Sequence, residues 1–189
     1  MVRTKKPFVL IDANLLAWMP GLRDHCETDK FVLDDEKQAF KELMGMKKQG
    51  RIVFAVSSLH FDPFRCSQRD NPEVIKRVGE YFHENISLRR NFVISKSELD
   101  LNADSAVTFL RGQEKQDDPV VFVWVHFIDP SITHVASHDA ALSGKFDGYE
   151  EKLGQHKELS EYWRLRKRGS QVFTGLPTQV LDDIKRKWS

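Results

Sequence analysis

The sequence predicts an α/β domain with a mainly parallel sheet, because short apolar runs alternate with segments that carry helix start and stop signals. The first of these runs, residues 8–11, is continuously apolar, which is typical of a strand buried on both faces of a parallel sheet. Neither an internal repeat nor a linker interrupts the pattern, so we expect residues 1–189 to form a single domain. The expected strands are residues 8–11, 51–57, 92–95, 132–139 and 171–174.

The segment 119–128 is the hardest to assign. Its β-branched and aromatic residues favour a strand, whereas the preceding Asp117, Asp118 and Pro119 are typical of a helix start. A fully buried helix tolerates apolar residues on every side, and we therefore predict a helix here. Another helix is expected after the first strand, at residues 15–18. Further helices are expected at residues 36–48, 71–85, 97–116, 149–167 and 177–188. A short helix is expected to begin at residues 140–142, before a turn at residues 144–148.

Composition limits the class of partner. The 29 basic and 28 acidic residues give a net charge of +1, so a nucleic acid has to be held by a local patch rather than by the whole surface. No apolar run approaches the ~20 residues of a membrane span, and the N-terminus lacks the apolar core of a signal peptide. Cys26 and Cys66 lie far apart without metal-binding spacing, so we expect reduced thiols. We expect a cytoplasmic protein without a membrane partner.

Acidic residues follow two of the expected strands. Asp12 comes directly after the first strand and Asp139 ends the fourth, so neighbouring strands would bring the two carboxylates together at the edge where open α/β sheets bind ligands. Asp117 and Asp118 lie at a helix start shortly before the fourth strand. Converging carboxylates repel each other unless a cation joins them, and oxygen ligands favour Mg²⁺ or Mn²⁺ over zinc. Such a site fits metal-assisted attack of water on a phosphodiester.

Three short motifs carry a family resemblance. Residues 10–14 (Leu-Ile-Asp-Ala-Asn), the helix led by Asp118, and residues 137–139 (Ser-His-Asp) resemble the motifs of PIN-domain ribonucleases. Residues 171–177 with the amphipathic helix after them are similar to the last strand and helix of that family. The resemblance covers nearly the whole chain in element order. It implies a PIN-like three-layer αβα sandwich around a central, mainly parallel sheet of about five strands.

The resemblance also implies roles for individual residues. It implies Asp12, Asp118 and Asp139 as the catalytic acids and as ligands of Mg²⁺ or Mn²⁺. It further implies Asn14 and Ser137 as polar supports of the site.

A further acid is expected on the helix after the second strand, where the family usually has glutamate. The chain offers Asp62, which lies one residue out of the expected register and precedes Pro63. Asp62 and Asp117 are therefore additional candidate metal ligands, and Asp117 or Asp104 is an alternative to Asp118.

The implied activity is an endoribonuclease that hydrolyses RNA, with DNA left open as a substrate. The alternative is a catalytically weak PIN-like scaffold that binds nucleic acid or a protein partner. This alternative is considered because Asp62, the candidate for the fourth acid, does not match the expected position. A protein inhibitor and a homodimer are also left open. An aspartyl phosphatase is disfavoured because Asn14 stands where its second acid is needed, and no convincing receiver-domain pattern is present.

Several of these residues also have a purely structural interpretation. Asp118 and Asp139 suit helix caps, and the three histidines at 126, 134 and 138 are expected in the core or on the surface rather than as ligands. A basic run near the C-terminus is either a solvated helix face or a patch that follows a phosphate backbone. The candidate nucleic-acid-binding residues of this run are Arg164, Arg166, Lys167 and Arg168.

Overall fold

A computed structural model describes residues 6–16, 34–57, 92–95, 101–112, 118–128, 131–166 and 172–188. The strands within these ranges are β1 (Phe8–Ile11), β2 (Val53–Ser57), β3 (Phe92–Ser95), β4 (His134–Ala136) and β5 (Phe173–Gly175). The helices are α1 (Ala13–Leu16), α2 (Asp34–Lys48), α3 (Leu101–Arg111), α4 (Asp118–Val123), α5 (Leu142–Gln155), α6 (Leu159–Arg166) and α7 (Pro177–Trp188). The predicted α/β class is confirmed.

The strands form one sheet in the order β3-β2-β1-β4-β5, and every neighbouring pair is parallel. Leu10 of β1 lies between Ala55 of β2 and Val135 of β4. The chain moves outward from β1 to β3 and then returns to the other side of β1 with β4 and β5. The order therefore reverses between β1 and β4, which is where sheets of this kind open a crevice for ligands.

Successive residues of β1 face opposite sides of the sheet, because side chains alternate along a strand. Val9 and Ile11 pack in one hydrophobic core, which also contains Phe40 of α2 and Ile184 of α7. Leu10 packs in the other core, which is built by residues of α3 to α6. Helices thus cover both faces of the parallel sheet, an arrangement compatible with a three-layer sandwich.

The ambiguous segment 119–128 is helical, as predicted. Pro119 occupies the first turn of α4, and the chain continues as a π-helix over Trp124–Ile128. Residues 119–127 are all buried, and α4 packs between α3 and α5. Burial on every side explains why this helix shows the apolar composition of a strand.

The single long helix predicted over residues 149–167 is wrong. The structure has two helices there, α5 and α6, and the backbone of His156 between them is extended, with φ −75° and ψ 129°. The imidazole Nδ1 of His156 accepts hydrogen bonds from the N–H groups of Glu158 (3.2 Å) and Leu159 (3.1 Å). His156 therefore ends one helix and satisfies free donors at the start of the next.

The turn predicted at residues 144–148 is also wrong, because α5 runs through both Gly144 and Gly148. Glycine weakens a helix interior by about 1 kcal/mol relative to alanine. Phe146 and Tyr149 on the same stretch are buried in the core, and their packing outweighs that intrinsic preference.

Other boundaries agree closely with the sequence. β3 and α7 have the predicted bounds, whereas β4 is shorter than the predicted run 132–139. α2 extends from Asp34 to Lys48, and Gly50 follows it with the left-handed φ of 73° that often terminates helices. Among the described residues, no helix combines the length and apolar character needed to cross a bilayer. The helix predicted at residues 71–85, together with Cys26 and Cys66, lies outside the described residues.

Candidate functional site

Asp12 lies at the carboxyl end of β1, next to β4. Its N–H donates to the carbonyl of Ala136 at 3.0 Å, which continues the contact between the two strands by one residue. Its carboxylate Oδ2 accepts hydrogen bonds from Ser137 Oγ (2.7 Å) and Asn14 Nδ2 (2.8 Å). Only 7% of Asp12 is exposed, and these charge-assisted hydrogen bonds offset the cost of burying the carboxylate.

Ser137 and Asn14 connect the ends of β1 and β4. The Ser137 hydroxyl donates to Asp12 and accepts from Asn14 Nδ2 (2.9 Å) and the Asp139 N–H (3.0 Å). One donor and two acceptor positions of the hydroxyl are thereby used. The Asn14 Oδ1 accepts the N–H of His138 at 3.2 Å. These bonds fix the orientation of the Asp12 carboxylate relative to the loop that carries Asp139.

Asp118 and Asp139 share one cation, the ammonium group of Lys145. Lys145 Nζ lies 2.6 Å from Asp118 Oδ2 and 2.7 Å from Asp139 Oδ2. Asp118 is the first residue of α4, and Lys145 lies in the first turn of α5. The other carboxylate oxygen of Asp139, Oδ1, accepts the N–H of Ala141 at 2.8 Å. Asp139 therefore supports the turn into α5 with one oxygen and binds the lysine with the other.

The pKa values of these groups reflect shared burial and charge. Burial raises the pKa of Asp118, the charges of Asp12 and Asp139 raise it further, and Lys145 only partly counteracts them. Burial also raises the pKa of Asp139, but hydrogen bonds from Lys145 and the Ala141 N–H outweigh it, so that pKa is lowered. Burial lowers the pKa of Lys145, yet its bonds to the two acids raise it above the ordinary value.

We call Asp12, Asp118 and Asp139 the acid cluster. The acid cluster offers oxygen donors of the kind that Mg²⁺ and Mn²⁺ prefer. In the part of the chain that the structure describes, however, no three His, Cys, Asp or Glu side chains are already arranged around a metal position. The lysine instead stands between two of the acids. The carboxylate donors are chemically suited to a cation, and the cation that two of them hold in the structure is the Lys145 ammonium group.

Sequence reasoning missed Lys145. The predicted helix start at residues 140–142 is close to the observed one, but the turn predicted at residues 144–148 places Lys145 outside that helix. In the structure the helix continues from Leu142, and Lys145 lies in its first turn, shortly after Asp139.

The remaining predicted site residues are only partly described. Asp62, Asp117, Lys167 and Arg168 lie outside the described residues. Asp104 is exposed on α3, and Arg164 is exposed on α6. Arg166 belongs to α6, but its side chain is not among those described.

His134 and His126 are buried in the core, one of the two places predicted for them. His134 Nε2 lies 3.2 Å from Asp183 Oδ2, and its Nδ1 lies 2.7 Å from the Thr133 hydroxyl. His126 packs against the rings of Phe122 and other core aromatics. His134 begins β4, at the end of that strand opposite the acid cluster.

Comparisons of the chain with protein-family models, curated proteins and solved structures find no match. The likeness to PIN-domain ribonucleases therefore depends on the short motifs in the sequence. The chemistry available at the acid cluster is the basis on which a function can be assigned.

Proposed function

We propose that the chain is a cytoplasmic, divalent-metal-dependent endoribonuclease with a PIN-like fold. The observation that carries this proposal is the meeting of Asp118 and Asp139 on one cation, beside the buried Asp12, where the strand order reverses. Acids gathered at this edge of a parallel sheet repel one another without a cation. The motif resemblance assigns the same three acids to metal binding.

Asp12, Asp118 and Asp139 would hold Mg²⁺ or Mn²⁺ through their carboxylate oxygens. A bound divalent ion lowers the pKa of a coordinated water and neutralises charge that develops on the phosphate. Asn14 and Ser137 would keep the Asp12 carboxylate in one orientation through the bonds to its Oδ2. Partners of this kind commonly change metal affinity or activity by about 10–100-fold when they are removed.

RNA is the proposed substrate, with DNA as the alternative to be tested. The exposed Arg164 of α6 belongs to the basic run that would hold the phosphate backbone.

A cleavage assay tests the proposal. Labelled single-stranded RNA, and DNA of the same sequence, are incubated with the full chain in Mn²⁺, Mg²⁺ or EDTA. The variants are Asp12→Asn and Asp139→Asn, and Asp182→Asn is the control because Asp182 is an exposed acid on α7. We expect cleavage with either metal, none in EDTA, and a loss of about 100-fold or more in both site variants but not in the control.

Cleavage that survives both site substitutions, or that persists in EDTA, would contradict the proposal. Circular dichroism of each variant separates lost chemistry from lost folding.

The second candidate is a catalytically weak PIN-like scaffold that binds nucleic acid or a protein partner, including a second copy of the chain. Lys145 favours it, because its ammonium already neutralises two acids that a catalytic metal would need. The same samples distinguish the two functions. RNA retained by the wild type in a gel-shift assay, with no cleavage in either metal, would favour the scaffold.

A further inference from the structure

The cation between Asp118 and Asp139 is a side chain of the same protein, the ammonium group of Lys145. A divalent ion would have to compete with it for these two carboxylates. Lys145 Nζ lies 2.6 and 2.7 Å from the two facing carboxylate oxygens. A magnesium ion bound to the same oxygens would lie about 2.0–2.1 Å from each of them. The ammonium group and the ion would then compete for the same two oxygens, and the repulsion between two cations so close together disfavours their binding at the same time.

We propose that Lys145 is a displaceable internal cation that occupies the divalent-metal position of the acid cluster and lowers its metal affinity. The inference rests on the proposed metal site and adds the group against which the metal competes. The metal binds when the lysine side chain leaves the two carboxylates.

The surroundings of Lys145 allow such an exchange. One third of its side chain (33%) is exposed, so the ammonium has a path to solvent. A lysine carries a compact, strongly hydrated charge on a flexible stem, and it can move without a change in the backbone. Two of the acids are held by other groups as well, since Asp12 is bound by Ser137 and Asp139 by the Ala141 N–H. The lysine side chain is therefore freer to move than these two carboxylates.

The size of the effect follows from electrostatics. A charged group within ~4–6 Å shifts the pKa of a carboxyl by about 1–3 units, which corresponds to about 10- to 1,000-fold in the binding of a proton. A divalent ion carries more charge than a proton and should respond to the same neighbour at least as strongly. Lys145 contacts two of the three acids directly. Removing its charge should therefore strengthen metal binding by at least about tenfold.

The experiment measures Mn²⁺ binding to the full chain without nucleic acid, using the paramagnetic resonance signal of free Mn²⁺. Lys145→Met keeps the long apolar stem and removes the charge, and Lys145→Gln is a second neutral variant that keeps a hydrogen-bond donor. Lys145→Arg keeps the charge. The control is Lys152→Met, which removes an exposed lysine from the same helix, where its ammonium faces the ring of Tyr149.

We expect both neutral variants to bind Mn²⁺ at least about tenfold more tightly than the wild type. Lys145→Arg should bind no more tightly than the wild type, and Lys152→Met should change the affinity by less than about twofold, because screened surface charges interact weakly. Thermal unfolding gives a second readout. Mn²⁺ should raise the melting temperature of folded Lys145→Met more than that of the wild type.

The outcomes separate this inference from the nuclease proposal. If the neutral variants bind Mn²⁺ no more tightly than a wild type that does bind it, Lys145 is not a competitor, and the metal site remains. If neither the wild type nor any Lys145 variant binds Mn²⁺, both the inference and the metal site are wrong. Tighter binding without RNA cleavage would support the inference and contradict the nuclease.

Discussion

Glu36 caps the N-terminus of α7 from a position 142 residues earlier in the chain. Its Oε2 accepts the N–H of Thr178 at 2.9 Å, and its Oε1 accepts the Thr178 hydroxyl at 2.6 Å. Glu36 is buried at the start of α2, which packs against α7 on one face of the sheet. A carboxylate at this place satisfies free helix donors and interacts favourably with the helix dipole.

Glu36→Ala should therefore lower the free energy of unfolding by about 1.5–3 kcal/mol, the range for a lost hydrogen bond to a charged group. Urea unfolding at pH 7 measures this change. The matched control is Glu42→Ala on the same helix, because the Glu42–Lys185 pair (2.8 Å) is exposed and such pairs contribute about 1 kcal/mol or less. Equal losses in the two variants would show that Glu36 is not a structural cap.

His134 should make the protein less stable as the pH falls. Burial lowers its pKa, and this outweighs the hydrogen bond and charge of Asp183, which raise it. The unfolded chain binds the proton near pH 6.5, whereas the folded chain resists it. The stability that this residue contributes is thus present above about pH 6.5 and is lost as the pH falls toward the folded-state pKa.

Urea unfolding between pH 7.5 and pH 5.5 checks this expectation. The wild type should lose stability across the interval, and His134→Gln should lose less. If the free energy of unfolding changed with pH in the same way in both proteins, the pH dependence would belong to groups other than His134.

Ser137→Ala should affect stability and metal binding together. The variant removes the donor to Asp12 and the acceptor of the Asp139 N–H from a fully buried position. We expect a loss of about 1–3 kcal/mol in the free energy of unfolding and, at the proposed metal site, a loss of about 10–100-fold in Mn²⁺ affinity. Ser143→Ala, an exposed serine on α5, is the control. Unchanged Mn²⁺ binding in a folded Ser137→Ala protein would show that the serine does not position Asp12.

Phe122 should be among the most sensitive core positions. Its ring lies 5.2 Å from that of Phe146, 5.5 Å from Tyr149 and 5.6 Å from Trp163, and it is fully buried. Phe122→Ala should cost about 3–5 kcal/mol of unfolding free energy. Phe109→Ala should cost clearly less, because 39% of Phe109 is exposed. Denaturant unfolding measures both changes. Similar losses of unfolding free energy in the two variants would contradict the description of Phe122 as the centre of the packing around α4.

Much of the fold could be predicted because its signals are local. The bounds of α7 follow from Pro177 and an amphipathic pattern, and the helix at residues 118–128 follows from an acid and a proline at its start. The continuation of α5 through Gly144 and Gly148 could not be predicted in this way. It depends on the packing of Phe146 and Tyr149 against distant parts of the chain, which local propensity does not contain.

The candidate site shows the same division. Asp12 and Asp139 can be predicted because each lies at the end of an apolar run, and the structure places them beside neighbouring strands. Lys145 cannot be predicted in this way, because its contact with Asp118 joins two helices whose relative placement no sequence pattern specifies. The positions of the acids can be predicted from the ends of the strands in the sequence. The identity of their counterion depends on how the helices pack in three dimensions.

A protein that supplies its own positive charge to clustered acids does not need to wait for an ion in order to fold. Lys145 offsets the repulsion between Asp118 and Asp139 as soon as α4 and α5 dock against each other. Under the proposed metal-dependent function, folding and metal loading would be separate events, and a newly synthesised chain would reach its native state under metal limitation. Activity in such a protein would follow the supply of divalent ions, while its abundance would not.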